Sequence, residues 1–123
     1  FQAAIRANPK NASAYNNYAW YLASRGAHDD ALKQVTKALA LDPEYEAAHD
    51  TQGHILMGLG RAEAATAAFD RAMQLGGGKV VRLYQEALVA RGYEPGRTDG
   101  VIDAETEASL SACIRDNCRL LLD

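Results

Sequence analysis

The side chains of this 123-residue sequence best suited to acid–base, nucleophilic or metal chemistry are His28, His49, His54, Cys113 and Cys118. No two histidines stand at the i,i+4 spacing that sets two imidazoles on one helix face, so no metal site is predicted. No Ser/His/Asp or Cys/His arrangement carries a nucleophile motif. Asp99 and Asp103 come nearest to paired acids, but an Asp99–Gly100 turn and a helix N-cap at Asp103 account for them. His28 precedes Asp29 and Asp30 at a helix start and reads as a capping residue, while His49 falls on a packing face and reads as core. Cys113 and Cys118 are too few for zinc, which leaves a local disulfide or two free thiols. On one continuous helix they would lie about 140° apart. A bridge therefore needs the helix to end near Asp116–Asn117, where asparagine is a suitable terminator. Arg115 and Arg119 are weak candidates for activating a thiol. The chain reads as non-catalytic, with no cofactor.

These residues must be carried by helices. Apolar residues make up 48% of the chain and charged residues 24%. The apolar share is dominated by alanine, the strongest helix former, and small enough to let helices approach closely. The net charge is -3. Residues 1–78 carry seven Lys+Arg and eight Asp+Glu, and residues 79–123 carry six and eight. Neither part has the basic footprint of nucleic-acid binding. No apolar run is long enough to span a membrane, and no signal peptide is visible. The sequence opens inside a helical pattern at Phe1 and reads as a fragment of a longer protein.

A fixed interval organises the first part of the chain. Ala19/Gly53, Leu22/Leu56, Gly26/Gly60 and Ala31/Ala65 are pairs 34 residues apart. Ala4/Ala38/Ala72, Phe1/Val35/Phe69 and Pro9/Pro43/Gly77 are triples at the same interval. Small residues at Ala19/Gly53 and Ala31/Ala65 let antiparallel helices nest. Tyr15, Tyr18, Leu22, Leu39, Leu56 and Phe69 fill the spaces between them. Gly26 and Gly60 stop the first helix of each pair, and Pro9 and Pro43 follow helix ends. Asp42-Pro43-Glu44 sets a turn with acidic residues at the positive end of the next helix. The pattern predicts helices over 1–7, 12–25, 28–41, 45–59 and 62–75, with a break at Gly76-Gly77-Gly78.

This pattern resembles the tetratricopeptide repeat, whose period is 34 residues. Residues 12–45 and 46–79 correspond to full repeats, and 1–11 to the end of an earlier one. His49 and Gly77 stand where the family often has a large apolar residue and proline. The resemblance implies an all-α fold: an antiparallel helix-pair solenoid over 1–78, followed by a small helical unit over 79–123. It also implies a concave groove that binds a peptide or protein. In this chain the groove would be lined by Ser13, Asn16, Asn17, Trp20 and Ser24, then by Asp50, Thr51, His54 and Met57. The places that in some relatives grip a C-terminal carboxylate hold no basic residue, so that mode is not expected.

Residues 79–123 predict a helix over 79–91, a turn-rich loop from Gly92 to Gly100, and a helix from Ala104 to Ile114 capped by Asp103. Val81, Leu83, Gln85, Leu88, Gly92, Tyr93, Gly96, Asp99, Gly100, Val101, Ile102, Thr106 and Leu110 resemble the start of a peptidoglycan-binding-like domain. That family's Phe-Gly-Pro after the turn is replaced here by Ile102-Asp103-Ala104, and its final helix is missing. The resemblance implies a bacterial periplasm or cell-envelope location, where a Cys113–Cys118 disulfide would form and pin the chain end. It also offers a glycan-binding loop through Tyr93, Arg97 and Asp99. The leading expectation is a protein-interaction scaffold within a larger bacterial envelope protein. The alternatives are a peptidoglycan-anchoring module or the regulatory tail of a larger enzyme.

Overall fold

The computed structural model describes residues 2–121, and every element among them is helical. A short α1 (Gln2–Ala7) precedes α2 (Ala12–Ser24), which is capped by Asn11: its side chain accepts the Ala14 N–H at 3.1 Å. α3 (His28–Leu41) returns antiparallel, and the turn between them needs Gly26 at φ 82°. α4 (Glu46–Gly58) and α5 (Ala62–Gly76) repeat the hairpin, with Gly60 at φ 77° in the matching place. A non-glycine side chain at that φ would press on its own backbone. α6 (Gly78–Ala90) follows after one residue, Gly77, and packs on α5. α7 (Ala104–Arg115) lies against α5 and α6. Its N-cap is Asp103, whose carboxylate accepts the Thr106 N–H at 2.8 Å.

The recurring small residues hold the hairpins together. Ala19, Ala31, Val35, Ala38, Ala65 and Phe69 are each fully buried. Phe1 lies outside the described residues, so its register is seen at Val35 and Phe69 only. At Gly53 a Cβ would come within 2.8 Å of the Phe69 ring, so the close approach of α4 and α5 depends on that missing atom. One apolar core joins α2, α3 and α4 through Ala19, Val35, Ala48 and Ile55. A second runs from Leu56 and Phe69 through Tyr84 and Leu88 to Leu110, Cys113, Ile114 and Leu120. The C-terminal unit thus shares its core with the second hairpin.

Candidate functional site

The inner helices α2 and α4 lie side by side and present the groove face. On α2, Ser13, Asn17 and Ser24 are exposed and Trp20 is partly exposed. Asn17, Trp20, Tyr21 and Ser24 line an open hollow of about 300 Å³. Trp20 supplies its apolar floor. Asn17 offers a donor and an acceptor, the pair needed to read a peptide backbone. Asn16, placed by sequence on the same face, is turned inward and buried, and its Oδ1 has no partner among the described residues.

The second hairpin departs from the expectation of an open groove. Thr51, His54 and Met57 are buried, and Thr51 Oγ1 donates to the Ala47 carbonyl at 2.9 Å within its own helix. His54, expected to line the groove, is buried instead: it sits edge-on between Trp20 and Phe69, with ring centroids 5.1 Å away on each side. Phe69 meets Tyr84 edge-on at 5.5 Å, which completes a four-ring ladder across α2, α4, α5 and α6. Such edge-to-face pairs add about 0.5–1.5 kcal/mol each beyond area burial. The Tyr84 hydroxyl donates to Asp50 at 2.5 Å. Sequence reasoning missed Tyr84, although the signal existed: Asn16, Asp50 and Tyr84 stand 34 apart.

Burial sets the charge states. Desolvation raises the Asp50 carboxyl to about 6; the Tyr84 hydrogen bond opposes this, and the nearby Glu46 charge adds to it. Desolvation and the charge of Arg91 lower His54 to about 4. Tyr84 is pushed far upward by burial and by Asp50, so its hydroxyl stays protonated. Asp50 and His54 approach to 3.8 Å. As pH falls, Asp50 takes its proton before His54 does, so the contact never becomes an ion pair. His54 is only 3% exposed, and it is packed between its two neighbouring rings.

The other histidines also differ from expectation. α3 has no side-chain cap, and the His28 ring instead lies over Gly58, where a Cβ would collide with it. His49 is half-buried at the turn, its Nε2 2.8 Å from the Pro43 carbonyl.

What covers the second hairpin is the end of the chain itself. α7 stops at Arg115, and Asn117 and Arg119 take positive φ of 51° and 57°. Cys113 and Cys118 form the disulfide, with Cα atoms 5.0 Å apart. Arg91 holds the segment beyond by its main chain: Nη2 donates to the Arg119 carbonyl at 3.3 Å and Nε to the Leu120 carbonyl at 3.4 Å. Leu120 is buried in the second core. Leu121 shares a hollow with Glu46, Ala47 and Asp50 of α4 and with Leu83 and Tyr84 of α6.

Arg97 and Asp99 are exposed, but the polar groups of Tyr93, Arg97 and Asp99 are paired within the chain. The Tyr93 hydroxyl donates to Asp116 at 2.7 Å. Arg97 grips Asp99 with two bonds of 2.8 and 2.6 Å, which holds the Asp99 carboxyl down at about 2. Their loop is bolted to α6 by the fully buried Gln85. Its amide donates to the Val101 carbonyl at 2.9 Å and to Thr106 Oγ1 at 3.1 Å, and its oxygen accepts the Gly100 N–H at 2.9 Å.

Comparison with known proteins agrees with this architecture. Residues 1–33 match the family model described as tetratricopeptide repeat. A human protein, DnaJ homolog subfamily C member 7, is 38% identical over 72 residues, 58% of this chain and 15% of its own length. The wheat (Triticum aestivum) Hsp70-Hsp90 organizing protein is 33% identical over 75 residues, 61% of this chain and 13% of its own. Small glutamine-rich tetratricopeptide repeat-containing protein 2 of Mycosarcoma maydis is 29% identical over 72 residues, 58% of this chain and 20% of its own. The chain thus matches a fifth or less of the length of these relatives. The stacked hairpins at a 34-residue interval and these likenesses agree, and the N-terminal part of the chain is similar to a tetratricopeptide-repeat array.

Proposed function

We propose that this chain is a non-catalytic protein-interaction scaffold that docks an extended segment of a protein partner on the exposed face of α2. The hollow formed by Asn17, Trp20, Tyr21 and Ser24 carries the reading. It joins an aromatic floor to a polar rim, the make-up of an interface anchor site. The relatives support a protein partner, since one is named for organizing two other proteins. Ser13 and Asn17 extend the surface along α2. Asp50, Thr51, His54 and Met57 support the face from beneath and take no direct part while the chain end covers them. Residues 1–78 supply the docking array, and residues 79–123 close its end. The Cys113–Cys118 disulfide supports an oxidising compartment, and we assign the chain to the bacterial periplasm or cell envelope. With Tyr93, Arg97 and Asp99 engaged internally, nothing favours a glycan site at their loop.

Photo-crosslinking tests this. A photoreactive side chain at Asn17 is expected to trap a protein partner from an extract of the source cells. The same group at Lys33, exposed on the outer helix α3, is expected to trap none. Equal yields at the two positions would remove the reading.

A further inference from the structure

The half of the concave face built by α4 and α6 is filled by residues 117–121 of the same chain. The fit is incomplete in two ways. At the α2 edge of this half, between Asn117 and Arg119 on one side and Ala23, Gly26, His54 and Met57 on the other, remains a cavity of about 330 Å³. Beneath it both ring nitrogens of His54 are buried without a hydrogen-bond partner among the described residues. Buried polar groups in a settled native contact are nearly always paired, and leaving one unpaired costs about 1–3 kcal/mol. A permanent plug would meet those nitrogens with a donor and an acceptor. This segment instead lies across the cavity from them and holds Arg119 at a positive φ of 57°, a conformation that costs energy for a residue other than glycine or asparagine. It is fastened from outside the groove, by Arg91 on its carbonyls and by the disulfide behind it.

We propose that residues 117–121 are an exchangeable internal occupant of the α4–α6 groove, released when the Cys113–Cys118 bond is reduced, and that the vacated groove accepts an extended, leucine-bearing peptide segment. The inference deepens the docking reading above by adding a second, gated half to the same face. The chemistry is a two-electron exchange with a dithiol. Its thiolate attacks Cys118 Sγ, the less buried sulfur, and Cys113 Sγ leaves as thiolate and takes a proton. The dithiol's second sulfur then resolves the mixed disulfide, so that it is oxidised while Cys113 and Cys118 become thiols. While the bridge stands, it holds the segment pre-organised in its seated conformation, and reduction makes seating it cost conformational entropy. An outside peptide of ordinary affinity is therefore excluded.

The probe is a fluorescein-labelled synthetic peptide with the sequence of residues 116–121, serine replacing its cysteine, added to the whole chain. With a dithiol reductant present, anisotropy is expected to report binding at least about tenfold tighter than to the oxidised chain. Amide exchange of residues 117–121 is expected to quicken by a similar factor while α2 to α5 stay protected. Arg91→Gln in the oxidised chain keeps the disulfide and should reproduce part of both effects, which guards against a Cys113→Ser variant that simply unfolds. Unchanged exchange of 117–121 on reduction overturns the proposal, and so does reduction that frees the segment without peptide binding. Because the peptide is the chain's own, either failure leaves docking on α2 standing, whereas failed crosslinking at Asn17 would not touch this result.

Discussion

At the scale of single residues, Asp50 and His54 pull the pH dependence of stability in opposite directions. Asp50 binds its proton more tightly folded than unfolded: about 6 against an ordinary 3.8. Its contribution is fully present below 3.8 and is lost as pH rises through 6. His54 binds its proton less tightly folded, about 4 against 6.5. Its contribution is present above 6.5 and is lost as pH falls towards 4. The windows overlap, so the wild-type chain is expected to keep a nearly constant stability between pH 4 and 6.5, as far as this pair decides it. Asp50→Asn removes one side of the balance and still leaves an oxygen for the Tyr84 hydroxyl. Its urea midpoint is expected to climb over that range, by on the order of 2–3 kcal/mol in stability. A flat profile in Asp50→Asn would show that His54 is not held neutral by burial. Little of this was legible in the sequence. His54 was placed on the groove face of α4, whereas it is enclosed between Trp20 of α2 and Phe69 of α5, a contact that only the packing of three helices reveals.

At the scale of elements, the interval of 34 residues specifies the helices because each recurring residue has a local mechanical duty. The expected spans 12–25, 28–41, 45–59 and 62–75 coincide with those found at four of their eight ends and differ by one residue at the other four, since glycine at positive φ and proline past a helix end act within one turn. The same logic makes Ala31 and Ala65 intolerant of bulk. Each is fully buried where two helices touch. Leucine there is expected to cost about 1–3 kcal/mol by overpacking. Ala40→Leu, on the exposed face of α3, should stay within about 0.5 kcal/mol of wild type. Thermal or urea melts of the three variants check this, and equal midpoints would contradict the assigned contacts. Asp116–Asn117 shows the same legibility further along: the turn that a Cys113–Cys118 bridge demands is where α7 ends. The joint between α5 and α6 was less readable. Three successive glycines suggest a loose hinge, yet Gly76 and Gly78 are helical and only Gly77 breaks the chain.

At the scale of the whole molecule, the C-terminal helices share a core with the second hairpin, which fits the closing role proposed for them. The core residues Leu110, Cys113, Ile114 and Leu120 are continuous with Phe69 and Met73 of α5. The path of the chain end was invisible in sequence because it depends on how far α7 carries the chain and on where Arg91 meets two main-chain carbonyls; neither is periodic. Gln85 is the residue on which this arrangement most visibly turns, since one buried side chain joins α6 to the loop at Gly100–Val101 and to Thr106 at the start of α7. Gln85→Leu keeps the volume but strands the Gly100 N–H and the Val101 carbonyl. The expected loss is about 1–3 kcal/mol, the penalty for leaving such groups unpaired. Its distribution is the sharper test. If the C-terminal unit is clamped through Gln85, amide exchange in Gln85→Leu should accelerate in residues 92–121, while α2 and α3, whose core is built from Ala19, Val35 and Ala38, keep their protection. Exchange that quickens equally from α2 to α7 would mean that the array and the C-terminal unit open only together, with no separable closing unit for the second half of the groove.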